Sequence, residues 1–104
     1  MAYKIVYSDV ALADMDKAWD EIYEASKDID IADNYIKTLR VNLKEISKHP
    51  RTGVRLHYED MFTGIYYVTH KNYSAFYRIV EDSIQVGRVL YNRSEYIKRV
   101  IDTM

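Results

Sequence analysis

The sequence predicts an α+β domain: a helix hairpin packed on a mostly antiparallel four-stranded sheet, in the order β-α-α-β-β-β. Two observations carry this. Residues 9–48 hold two consecutive stretches with apolar side chains at steps of three and four, and after Gly53 the pattern turns into aromatic and β-branched runs separated by short turns. A chain of 104 residues supplies one core but not two, so residues 1–104 are read as a single domain.

Tyr3 to Tyr7 (YKIVY) alternates and is rich in β-branched and aromatic residues, which fits a short strand over 3–7. Ser8-Asp9 stops it with good N-cap chemistry. Beyond them Leu12, Met15, Trp19 and Ile22 fall on one face of a helix over 9–27, with Asp14, Asp16, Asp20, Glu21 and Glu24 opposite. A second helix over 30–48 carries a stripe of Ala32, Tyr35, Ile36, Leu39, Leu43 and Ile46, with Lys37, Arg40, Lys44 and Lys48 off the stripe. His49-Pro50 ends it, because the residue before proline resists the α conformation, and Arg51-Thr52-Gly53 supplies a turn. Two such helices with a short connection pack as an antiparallel hairpin.

The stretch VRLHYEDMF reads as irregular, and strands are expected over 64–70, 73–80 and 84–91. If Lys71-Asn72 is a two-residue turn, Val68 faces Ala75 and Tyr66 faces Tyr77 on one side of the sheet, while Thr69 with Ser74 and Tyr67 with Phe76 occupy the other. Taking Asp82-Ser83 as the next turn sets Ile79 opposite Val86 and Ala75 opposite Leu90. The expected core is therefore Leu12, Trp19, Ile22, Ile36, Leu39, Leu43, Ala75, Ile79, Val86 and Leu90. The reverse face would expose Tyr67, Ser74, Phe76, Arg78, Val89 and Tyr91, with nothing left in the chain to cover it fully. Ser94 could cap a brief terminal helix bearing Tyr96, Ile97, Val100 and Ile101.

Composition excludes several classes of function. Without cysteine there is no disulfide, no thiolate catalysis and no Cys-based zinc site. His49, His57 and His70 lack metal-ligand spacing, so neither metal nor cofactor is expected. No apolar run reaches the ~20 residues of a membrane span, and charge interrupts the N-terminus before a signal-peptide core could form, so a cytoplasmic protein is expected. The net charge of −1 argues against indiscriminate coating of nucleic acid, although residues 8–33 sum to −7 and residues 71–99 to +3.

The residues then resemble a known family, the RelE/ParE superfamily of bacterial type II toxins, over nearly the whole chain. ALADMDKAWDEIYE is similar to the family's first helix with its Trp, and the second helix closes on Pro50 and Gly53 as the family's does. The strand block carries most of the likeness: Gly64-Ile65, then NYSAFYRIVED at 72–82, then GRVLYNRSEY at 87–96. The resemblance implies a helix hairpin on a curved antiparallel sheet, and a toxin neutralised by a cognate antitoxin protein whose flexible segment wraps it. A dimer, or a hetero-oligomer with the antitoxin, is compatible with that scheme.

Two activities divide the superfamily. One branch inhibits DNA gyrase and has no known catalytic chemistry of its own. The other enters the ribosome and cleaves mRNA by attack of a ribose 2′-hydroxyl on the neighbouring phosphate, which needs cations near that phosphate and a group to move a proton. If this chain were a ribonuclease, Arg93, Tyr91, Arg78 and Tyr96 would be its catalytic candidates. The ribonuclease members usually carry Arg or Lys where this chain has Ser74, and that departure together with the modest basic excess favours the gyrase-directed, ParE-like branch. An inactive homologue serving as a protein-interaction module is the remaining reading. For Arg78, an ion pair with Glu81 or Asp82 competes with a functional role. Arg88 is expected at a sheet edge with its head in water. Tyr67, Phe76, Arg78, Tyr91 and Arg93 are the expected partner-binding surface.

Overall fold

A computed structural model describes residues 2–92 and 96–104. The chain runs β1 (Lys4–Tyr7), α1 (Asp9–Ser26), α2 (Ile29–Ile46), a 3-10 turn at Pro50–Thr52, β2 (Val54–Tyr58), β3 (Met61–His70), β4 (Tyr73–Val80), β5 (Ser83–Tyr91) and α3 (Tyr96–Thr103). Both hairpin helices begin where the sequence offers a cap. The Ser8 hydroxyl accepts from the Ala11 N–H at 2.9 Å, and the Asp28 carboxylate accepts from the Asp30 and Ile31 N–H groups at 2.9 and 3.2 Å. Lys27, in the left-handed region, ends α1.

The sheet has five strands in the order β1-β5-β4-β3-β2. The fifth is β2, which lies in the stretch read as irregular. Val54, Arg55, Leu56, His57 and Tyr58 do alternate, but only Leu56 is buried, and the turn that follows, Glu59-Asp60, carries neither glycine nor asparagine to announce a hairpin. β1 pairs parallel with β5, and the remaining neighbours are antiparallel.

Between β3 and β4 the register is the expected one, with Val68 opposite Ala75 and Tyr66 opposite Tyr77. Between β4 and β5 it is not. The turn is Glu81-Asp82 rather than Asp82-Ser83, which sets Ile79 opposite Ile84 and Tyr77 opposite Val86. Gly87 then bulges out, and past it Phe76 faces Arg88, Ala75 faces Val89 and Ser74 faces Leu90. One extra residue inverts every later side chain, so Val89 and Tyr91 turn to the helix side and Leu90 to the opposite, outer side.

The helix side holds the main core, where Met15, Leu39, Leu43, Tyr77, Ile84 and Val86 are each 3% exposed or less. Sealing one such aliphatic side chain contributes roughly 1.5–3 kcal/mol. α1 meets the sheet through Ala11, Met15 and Ala18, not through the Leu12 and Trp19 face expected. Leu12 is exposed, and Trp19 sits half-buried at the flank, because the small alanines let helix and sheet approach closely. Closeness also fixes Gly53. Tyr77 donates its hydroxyl to the Pro50 carbonyl at 2.7 Å, and a β-carbon on Gly53 would collide with the Tyr77 hydroxyl oxygen. A second, smaller core on the outer side joins Leu56, Ile65, Phe76, Leu90 and Val100.

Candidate functional site

That second core corrects the expectation of an open aromatic face. α3 crosses the outer side of the sheet and covers its middle with Val100, while Met104 packs alongside. Phe76 is fully buried there, and the half-buried Tyr67 lies beside it with ring centroids 5.4 Å apart. Ser74 is also fully buried. Its hydroxyl donates to the Asn92 carboxamide oxygen at 2.6 Å and shares a 2.8 Å hydrogen bond with Thr69, so its polar capacity is met inside the protein.

Arg78 stands on the same outer side. It lines a cleft of about 270 Å³ with Val6, Val10, Gln85 and Met104. Gly64, at φ +84°, faces its guanidinium across the sheet. Neither Glu81 nor Asp82 pairs with it, and among the described residues Arg78 forms no ion pair. It is a half-buried cation held beside apolar walls.

Arg88 is committed elsewhere. β1 ends opposite Val86, so the β5 edge beyond it has no partner strand. Asp14 fills that gap: its carboxylate accepts from the Val89 N–H at 3.0 Å and from Arg88 Nε and Nη2 at 2.8 and 3.1 Å. Arg88 Nη1 donates to the Thr103 hydroxyl at 3.0 Å, tying α1, β5 and α3 together. The expectation of a solvated head is overturned, since the guanidinium is buried on its acid. From the sequence Asp14 is expected on the face of α1 opposite the apolar stripe; with Ala11 and Ala18 buried instead, it lies one turn from each and reaches β5.

Tyr91 lies on the other side of the sheet, edge-on to Tyr73 at 5.3 Å. The Tyr73 hydroxyl donates to Glu21 at 3.0 Å, and burial, reinforced by that carboxylate, pushes its pKa well above the ordinary phenol range. Tyr35 accepts from the Asn72 N–H at 2.8 Å and donates to the His70 carbonyl at 3.1 Å, bracing the β3–β4 turn against α2. Burial raises its pKa too. Phenols held in this way keep their protons at neutral pH and cannot serve as general bases there. His70 shifts the other way, its pKa lowered by burial and then by Lys71.

Of the expected site residues, Tyr67, Phe76 and Arg78 thus share the outer side and Tyr91 does not. Arg93 lies outside the described residues, as does the Ser94 cap, and Tyr96 opens α3. The sequence reading missed the groove between α1 and α2, walled by Trp19, Ile36 and Val41, with a volume of about 510 Å³. The Trp19 indole donates to Asp33 at 2.8 Å across it and stacks on Tyr23. No described helix is long and apolar enough to cross a membrane.

Comparison with known proteins follows the same line. Residues 5–96 match the family described as the ParE toxin of the type II toxin-antitoxin system parDE. Among solved structures, the chromosomal ParDE toxin-antitoxin system from P. aeruginosa superposes with a TM-score of 0.72 at 19% identity, over 88% of this chain and 98% of that one. The toxin-antitoxin complex RelBE2 from Mycobacterium tuberculosis gives 0.59 at 20% identity, over 88% and 100%. A mutant of the E. coli toxin RelE in its free state gives 0.63 at 17% identity, over 95% and 93%. No curated protein matches the sequence.

Proposed function

Because the chain belongs to the ParE toxin family of type II toxin-antitoxin systems, we propose that it acts by binding DNA gyrase and is neutralised by a cognate antitoxin. The observation that carries this reading is Ser74. A 2′-hydroxyl attack builds charge on the phosphate, and the stabilising cation must stand within hydrogen-bond reach of it. At the position where the ribonuclease branch places that cation, this chain has a neutral hydroxyl, fully buried and bonded to Thr69 and Asn92. The cation two positions after Val86 is neutralised by Asp14. Such an arrangement suits action by protein contact, which needs a shaped surface and no proton transfer.

The antitoxin contact is proposed for the outer side of the sheet, where Tyr67 and Arg78 flank α3. A half-buried arginine with no acid partner among the described residues gains most from a carboxylate supplied by another chain, because the desolvation is already largely incurred. Tyr91 and Arg93 remain candidates at the β5 end. Charge reversal at Arg78 should weaken antitoxin binding while the domain stays folded.

The deciding experiment is induced expression in a bacterial host, with translation and DNA breakage read separately. A DNA-damage response with translation intact is expected, and purified gyrase should lose supercoiling activity when the chain is added. A translation block with 3′-truncated messages, and gyrase unaffected, would instead establish mRNA cleavage at the ribosome and overturn the proposal.

A further inference from the structure

We propose that a second copy of this chain seats the tip of its β2–β3 hairpin in the groove between α1 and α2. The tip is built to project. Tyr58 pairs with Met61 to close a turn whose two central residues, Glu59 and Asp60, take φ of +51° and +65°. That region favours glycine, asparagine and aspartate, so Glu59 is held there against backbone preference and the turn sets two carboxylates at the apex. Met61 is 72% exposed, and Tyr58 and Phe62 are exposed beside it. A projecting apolar cluster of this kind marks a contact surface.

The groove offers the complementary pattern. Trp19, Ile36 and Val41 make its walls, and Val41 is 48% exposed. Lys37, Arg40 and Lys44 line the α2 bank, and none of the three pairs with an acid among the described residues. Asp33 is occupied by the Trp19 indole. The flank of the hairpin carries Arg55 above Phe62. The charges of the two surfaces are complementary, apex carboxylates against α2 cations.

Like surfaces repel here. Two tips would oppose carboxylates, and two α2 banks would oppose cations, so only tip-to-groove pairing satisfies both halves. Reciprocal insertion about a twofold axis gives a closed dimer, and head-to-tail insertion gives an open chain. In either case the groove is filled when the toxin is without its antitoxin. This inference stands apart from the choice of target.

The test uses the isolated chain in sedimentation velocity from micromolar to hundreds of micromolar concentration, with the fluorescence of the single tryptophan, Trp19, as a direct report of groove occupancy. One variant carries Glu59→Lys and Asp60→Lys; the other carries Lys37→Glu, Arg40→Glu and Lys44→Glu. All five positions are exposed, and circular dichroism confirms folding of each variant. Wild-type chain should associate reversibly with a change in tryptophan emission, each variant alone should associate about 10-fold or more weakly, and an equimolar mixture of the two should associate again. Met61→Asp should also abolish the emission change. The proposal fails if wild type stays monomeric throughout, if either charge-reversed set associates normally, or if the mixture does not recover. Loss on groove reversal alone would mean that something other than the hairpin tip occupies the groove, which overturns it as well.

Discussion

Replacing Asp14 by alanine should destabilise the domain by about 3–4 kcal/mol, because it strips the partner from a buried cation. The Asp14 carboxylate accepts three hydrogen bonds: two from Arg88 at 2.8 and 3.1 Å and one from the Val89 N–H at 3.0 Å. The Arg88 and Asp14 side chains are 10% and 13% exposed, so water replaces little of what is lost. All three are made to a charged carboxylate, and a hydrogen bond to a charged group contributes about 1.5–3 kcal/mol. Partial hydration of the freed guanidinium brings the sum down to the value stated. Arg88→Met should cost less, about 1–2 kcal/mol, since Asp14 keeps the Val89 N–H, whereas Asp14→Ala leaves the guanidinium with the Thr103 hydroxyl alone as a partner among the described residues. The double variant Asp14→Ala with Arg88→Met should be milder than the sum of its parts, because it leaves no orphaned charge. Urea titrations followed by circular dichroism give all three values. A cost below about 1 kcal/mol for Asp14→Ala, or strict additivity in the cycle, would refute the view that this pair acts as one buried unit.

Other substitutions test other contacts. Leu39→Ala should cost about 2–5 kcal/mol by urea melt, and Trp19→Ala clearly less, because Leu39 is fully buried and Trp19 stands at an open groove. Gly53→Ala should cost more than about 2 kcal/mol, since the new methyl collides with the Tyr77 hydroxyl, and Tyr77→Phe in the same chain should recover part of that loss. Burial pushes Tyr77 up to about 12, above the unfolded value near ~10, so its contribution is fully present below pH ~10 and is lost as pH rises through 12. Alkaline unfolding read at 295 nm should therefore coincide with tyrosinate formation in wild type and begin at higher pH in Tyr77→Phe.

How much the sequence disclosed follows from where local rules apply. The β3–β4 register was legible because the turn Lys71-Asn72 has two residues and the strands on either side keep strict alternation. One step later the same arithmetic misplaced Leu90, Val89 and Tyr91, because a bulge at Gly87 is decided by the neighbouring elements and leaves no periodic trace. On the first helix Met15 belongs to both the expected and the observed face, and the rest of the face is turned by about half a residue. Hydrophobicity favours Leu12 and Trp19, but close packing on the sheet selects Ala11 and Ala18, whose value lies in their small size. The outer side was judged open since an eight-residue terminal helix has too few apolar positions to announce what it covers. Of the site, Ser74 was legible as a departure from a family pattern, and Arg78 as part of the strand block that resembles it. The α1–α2 groove was not, because it is formed by the crossing of two elements.

The pairing of β1 with β5 has a consequence in time. The first strand of the chain can find its partner only after the last strand has been made, and 79 residues separate Ser8 from the Gly87 carbonyl it bonds. At about 5–20 residues per second, that interval is on the order of 4–16 s of synthesis. Until then the helix hairpin can form by local contacts, but the sheet edge and the Asp14 clamp cannot close. A ribosome making this toxin therefore carries it for seconds in a form without its finished surface, a delay set by strand order alone and lengthened by anything that slows the final codons.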